Sequence, residues 1–249
     1  MQIIPLSEGS FTIDASKQFI PFDKEADLLS ERNRGSLLVE IQPFVVMIEK
    51  EVILLDTGLG FCDEAGIPFI HRNLEQAGIA PHQVTKVLLS HLHRDHSGGI
   101  SFPSKDGNER FICFPYATYY CQRREFELAM SRSSASYQPE YVSLLDEYSR
   151  VVWLEEESGW IDQFIHYQVT GGHSLFHQVF SIADDGKTAF FGGDEAPQLQ
   201  QLKNKFIAKY DLDGRRAMEW RKKWWEEAAT DHRTFLFYHD IQTPLYSRF

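Results

Sequence analysis

The segment VLLSHLHRDHSGG, residues 87–99, sets three histidines and an aspartate within six consecutive positions, directly after an apolar run. Imidazole and carboxylate are donors suited to zinc, iron, manganese or nickel. In an extended or loop backbone, side chains at i, i+2 and i+4 project to one side, so His91, His93 and Asp95 converge while His96 faces away. Two ligand sets on one short loop follow, with Asp95 beside His96 letting the loop serve two neighbouring ions. Gly98 and Gly99 then permit tight turning and close backbone approach. The competing reading, a solvated loop rich in histidine, suits a lone histidine far better than this constellation.

The elements that must position this loop alternate between extended and helical patterns. Residues 37–55 are β-rich, with a hairpin turn at Glu49-Lys50-Glu51 and an edge or bulge at Pro43. Apolar residues at helical spacing run from Ile67 to Ala77, and VTKVLLS at 84–90 is a short apolar strand, so the histidine cluster lies in a strand-to-helix loop. A strand at 110–115 precedes helical stretches across 117–130 and 138–148, separated by the polar SRSSASYQP. Strands return at 150–154, 164–170, 176–183 and 187–193. The last helix runs from Asp213, a plausible N-cap, to Ala229, with Ala217, Trp220, Trp224 and Ala228 on one core-facing side. No repeat or linker divides the chain, so residues 1–249 are read as one domain.

Composition narrows the function classes. With 43% hydrophobic and 24% charged residues, the chain suits an ordinary globular core. Its longest apolar runs fall well short of the roughly 20 residues of a membrane-spanning helix. MQIIPLSEGS at the start lacks the pattern of a secretory signal, and the expected location is the cytoplasm. Cys62, Cys113 and Cys121 show no CxxC spacing and read as buried thiols. A net charge of −11 disfavours nucleic acid, since the one dense basic stretch, 215–223, is interleaved with glutamates.

His91-Leu92-His93-Arg94-Asp95-His96 after an apolar strand resembles the HxHxDH signature of the metallo-β-lactamase fold hydrolases. Four further segments resemble that family's motifs in order: Leu55-Asp56-Thr57-Gly58, Gly172-His173-Ser174-Leu175-Phe176-His177, Gly193-Asp194 and Tyr238-His239-Asp240. The resemblance covers about residues 36–240. It implies a four-layered αββα sandwich of mixed α/β (α+β) class. It further implies two divalent ions, zinc first with iron, manganese or nickel as alternatives. One would be held by His91, His93 and His177, the other by Asp95, His96 and His239, with Asp194 bridging and Asp56 supporting a metal-binding histidine from behind. His173 is read as structural, and His71, His82, His166 and His232 as surface or core residues.

Two such ions about 3.5–4 Å apart lower the pKa of a shared water from 15.7 toward about 7, giving hydroxide at neutral pH. Asp95 is then placed to pass a proton to the leaving group. The expected enzyme is a dinuclear hydrolase of a small ester or lactone. GHSxxHQ and Asp194-Glu195-Ala196-Pro197 resemble the N-acyl homoserine lactonase-like branch, although Pro197 stands where some lactonases carry a catalytic tyrosine. The alternatives are a hydroxyacylglutathione-type thioesterase, a phosphodiesterase or RNA-processing member, and a non-catalytic binding protein; oligomeric state is left open. Segment 116–148, rich in tyrosine, is read as a wall or lid over the metals.

Overall fold

Along the hairpin of strands Phe44–Ile48 and Glu51–Leu55, Phe44, Val46, Ile53 and Leu55 share one face, and Val45, Val52 and Leu54 share the other. Both faces are buried, so this hairpin needs a covering layer on each side. The computed structural model, which describes residues 1–131 and 134–248, supplies both. The hairpin belongs to a six-stranded sheet ordered Gln2–Pro5, Phe44–Ile48, Glu51–Leu55, Lys86–Leu88, Thr118–Gln122, Val151–Leu154. A second six-stranded sheet runs Ser158–Ile161, Ile165–Val169, Gln178–Asp184, Lys187–Phe191, Arg233–Leu236, Leu245–Arg248.

Between the sheets lies one apolar layer, in which Phe44, Val46, Ile53 and Leu55 meet Ile165, Phe180, Ile182, Phe191 and Leu236. Outside the first sheet, Val45, Leu54 and Val87 pack on Ile70 and Leu74 of helix Phe69–Gln76 and on Phe126 and Ala129 of helix Arg123–Met130. Outside the second, Val179, Phe190 and Phe235 pack on Leu199, Leu202 and Trp224. The layers are therefore helix, sheet, sheet, helix, as expected.

The Asp213 carboxylate accepts from the Arg216 N–H at 3.0 Å and caps helix Gly214–Glu227. Asp213→Ala is expected to cost about 1 kcal/mol of unfolding free energy, readable as a lower urea midpoint. An unshifted midpoint would remove this cap from the account.

Three readings are corrected. Residues 117–130 are not one helix: Thr118–Gln122 is a strand held between parallel neighbours, and the helix starts only after Gln122, whose side chain caps it. Buried aromatic residues on both faces suit a central strand better than a one-sided helix. The stretch 138–148 is a single helical turn, Pro139–Val142, continued by a tighter turn at Ser143–Asp146. Pro43 marks the point where the chain leaves a separate three-stranded sheet, Phe19–Pro21, Gly9–Ile13 and Leu37–Ile41, and enters the large one. Among the described residues, no helix is long and apolar enough to cross a membrane.

Candidate metal centre

Parallel strands bring their carboxyl ends side by side, where loops can converge. Glu51–Leu55 and Lys86–Leu88 are parallel neighbours in the first sheet, and Lys187–Phe191 and Arg233–Leu236 in the second. Just past these four ends stand Asp56, the His91–His96 loop, Asp194 and His239. The loop after His96 packs tightly on the Asp56 strand end. A Cβ on Gly98 would fall 2.2 Å from the Leu59 carbonyl oxygen, and one on Gly99 2.1 Å from that of Thr57. Only glycine fits there.

Arg94–Ser97 forms one helical turn, which corrects the expectation of an extended loop and turns His96 back toward its neighbours. His91, His93 and His173 offer ligand atoms within 4.8 Å of one another, as do Asp95, His96 and His239. Asp194 stands between the two groups. Its Oδ2 is 3.2 Å from His173 Nε2, and its Oδ1 is 3.1 Å from His96 Nε2 and 3.0 Å from His239 Nε2. Asp56 accepts from His96 Nδ1 at 2.7 Å and from the Ser90 N–H and hydroxyl, so it supports that histidine from behind. The Glu40 carbonyl accepts from His239 Nδ1 at 2.7 Å.

Of the two histidines of the GHSxxH segment, His173 and not His177 falls in a group that could hold an ion. His177 Nε2 accepts from the Asp194 backbone N–H at 3.1 Å, and its Nδ1 lies 3.2 Å from the Thr170 hydroxyl, so both ring nitrogens are engaged away from the cluster. His173 instead reaches His93 at 3.1 Å and Asp194 at 3.2 Å, with its Nδ1 3.1 Å from Asp211. Strand ends carried the missed signal: His173 follows strand Ile165–Val169, as the other candidate ligands follow theirs, whereas His177 precedes Gln178–Asp184.

Electrostatics favour cations here. Burial holds His91 and His93 well below the usual imidazole range, leaving neutral rings with free lone pairs. Burial acts the same way on His96, yet the carboxylates of Asp194 and Asp95 outweigh it and raise that ring well above the range. His173 and His239 are raised too, with Asp194 again the chief charge opposing burial. Asp194 is pushed up by burial but held well below the carboxylate range by His239, His96 and His173. His91 Nε2 is buried without a hydrogen-bond partner among the described residues, and His96 Nε2 and Asp194 Oδ1, 3.1 Å apart, face each other out of hydrogen-bonding alignment. Each such atom left without a partner costs about 1–3 kcal/mol, and cations bound among these groups would satisfy them. The donor set fits the ions that the sequence implied.

Glu8 lies just outside this cluster and accepts from the Leu59 N–H at 2.8 Å. Enclosure pushes its carboxyl up to about 8, against the Leu59 hydrogen bond and with the Asp95 charge. A folded pKa raised above the ordinary 4.5 gives stability that is full below 4.5 and lost as pH rises through about 8. In denaturant titrations from pH 5 to 8, Glu8→Gln is expected to flatten that decline. Parallel profiles for the variant and the parent would contradict this.

The centre opens into a cleft of about 920 Å³. Phe19, Leu37 and Val39 line one side, and Leu175, Phe206 and Leu212 another. Lys17 and Arg94 are its cationic lining residues among those described, and the Arg94 guanidinium is stacked over the rings of Phe61 and Tyr141. Of segment 116–148, Leu128 and residues 134–138 reach the cleft, and the Tyr137 ring packs 4.7 Å from His93. Tyr119 and Phe126 lie in the core instead, and Tyr116 is exposed. The polar loop 131–136 includes Arg132 and Ser133, which lie outside the described residues.

The family model of the metallo-beta-lactamase superfamily matches residues 39–239. Comparison with curated protein sequences yields no match. Among solved structures, a probable metal-dependent hydrolase from Staphylococcus aureus aligns with a TM-score of 0.79 at 20% identity, covering 99% of this chain and 91% of that one. Hydrolase AbOPH of the beta lactamase superfamily aligns at 0.71 and 24% identity, covering 98% and 89%. AidC, a dizinc quorum-quenching lactonase in complex with a hexanoyl homoserine product, aligns at 0.70 and 20% identity, covering 98% and 88%. These likenesses establish the shared fold. With the family model spanning most of the chain and a metal-ligand cluster at the strand ends, the chain belongs to the metallo-beta-lactamase superfamily and is a metal-dependent hydrolase.

Proposed function

We propose that the protein cleaves a small ester or lactone at a centre of two divalent transition-metal ions, zinc foremost. His91, His93 and His173 would hold one ion, and Asp95, His96 and His239 the other, with Asp194 shared. The observation that carries this reading is the Asp194 carboxylate, whose two oxygens face different histidine sets at 3.0–3.2 Å. Seven donors arranged in this way exceed what one tetrahedral ion uses. Bound ions would supply Lewis acidity toward a carbonyl and hydroxide at neutral pH.

The chain's own residues do the remainder. Asp56 and the Glu40 carbonyl accept from Nδ1 of His96 and His239, so each ring turns its Nε2 inward. Asp95 lines the cleft 3.5 Å from His239 Nε2, where it can carry a proton to a departing alkoxide. The apolar walls favour a neutral or acyl-bearing substrate, and two cationic lining residues among those described offer little to a polyanion. Likeness to a lactonase fold supports the same reading.

A single zinc-loaded preparation, assayed on a lactone series, aryl acetates, a glutathione thioester and a bis-aryl phosphate, tests the substrate class. An ester or lactone is expected to give the highest kcat/KM. A thioester or phosphodiester ahead by tenfold, about 1.4 kcal/mol of transition-state discrimination, would overturn the substrate reading and leave the metal centre standing.

A further inference from the structure

Asp211 belongs to none of the motif segments, yet its fully buried side chain sits 3.1 Å from His173 Nδ1. The same stretch of chain grips the His173 loop twice more, through Leu212 N–H to the His173 carbonyl at 3.1 Å and Asp213 N–H to the Gly172 carbonyl at 2.7 Å. From the other side, the His173 N–H donates to Glu195 at 2.8 Å. Behind Asp211 lies Arg221, 1% exposed, which donates to the carbonyls of Glu195 and Phe206 and stands 3.8 Å from the Asp211 carboxylate. A buried arginine and aspartate cost several kcal/mol to desolvate, so their retention calls for a role beyond filling space.

We infer that Asp211 is a positioning residue for the metal centre: its carboxylate fixes His173 with Nδ1 protonated and Nε2 turned toward Asp194, and Arg221 holds that carboxylate in place. A neutral imidazole that donates from Nδ1 has only Nε2 left as a lone-pair donor. Asparagine at 211 keeps the shape but can rotate its NH2 toward Nδ1, which favours the tautomer with a proton on Nε2. That proton must be lost before an ion can bind. The inference rests on the proposed assignment of His173 as a ligand.

Zinc affinity of the chain, measured by chelator competition, tests it with Asp211→Asn and His173→Ala side by side. Asp211→Asn is expected to weaken one zinc equivalent by about 10–100-fold and to lower kcat with little change in KM. Parental affinity in Asp211→Asn, with zinc lost in His173→Ala, would overturn the role of Asp211 while sparing the ligand assignment. Parental affinity in His173→Ala would remove the ligand assignment itself. Should Asp211→Asn fail to fold, histidine-15N spectra of the zinc-loaded parent decide: a proton on His173 Nδ1 is expected, and one on Nε2 overturns the inference.

Discussion

Asp194→Ala is expected to reduce bound metal from two ions per chain to one or none and to lower kcat/KM by about a thousandfold, roughly 4 kcal/mol of transition-state stabilisation. The carboxylate is in reach of three rings drawn from both histidine sets, and without it His96, His173 and His239 lose their shared counter-charge. Its backbone is pinned as firmly as its side chain. Gly193 holds φ at +48°, where a Cβ would lie 2.6 Å from His177 Nε2, and that nitrogen accepts the Asp194 N–H. Elemental analysis and kinetics on the same sample check the result. Retention of both ions with activity within tenfold of the parent would show that Asp194 does not join two sites.

The second large effect separates two histidines four residues apart. His173→Ala is expected to strip one ion and cost at least about a hundredfold in kcat/KM, since one of the proposed ligand imidazoles disappears. His177→Ala is expected to keep two ions at saturating zinc and to lose about tenfold. Its loss leaves the Asp194 N–H unpaired, a penalty of about 1–3 kcal/mol to be read as lower thermal stability. Zinc titration of the two variants distinguishes them. If His177→Ala is the variant that sheds an ion, the geometry at this segment has been misassigned.

Why one part of the centre was legible in sequence and another was not follows from locality. His91, His93, Asp95, His96, Asp56, Asp194 and His239 each stand next to an apolar strand that announces them, and the spacing alone brings out the first loop. Within the GHSxxH segment spacing is ambiguous, because either histidine fits a six-residue pattern. The strand ends favour His173: the other candidate ligands trail strands as it does, and His177 leads one. Asp211 and Arg221 carry no local signal at all, since their meeting depends on helix Gly214–Glu227 packing behind the second sheet. Among the elements, the two core hairpin strands announce themselves as continuous aliphatic runs on either side of a turn, whereas Thr118–Gln122, buried on both faces as they are, has Thr, Tyr and Gln in place of such a run. The short strands Gly9–Ile13 and Phe19–Pro21 are too brief to stand out.

The measurement that bears most directly on the paired-ion centre is metal content of the chain, reconstituted with zinc, desalted to remove loosely held ions and analysed by inductively coupled plasma spectrometry against quantitative amino-acid analysis. Six donors around a shared carboxylate predict two ions per chain. A content that saturates at one ion, or at none, would contradict it.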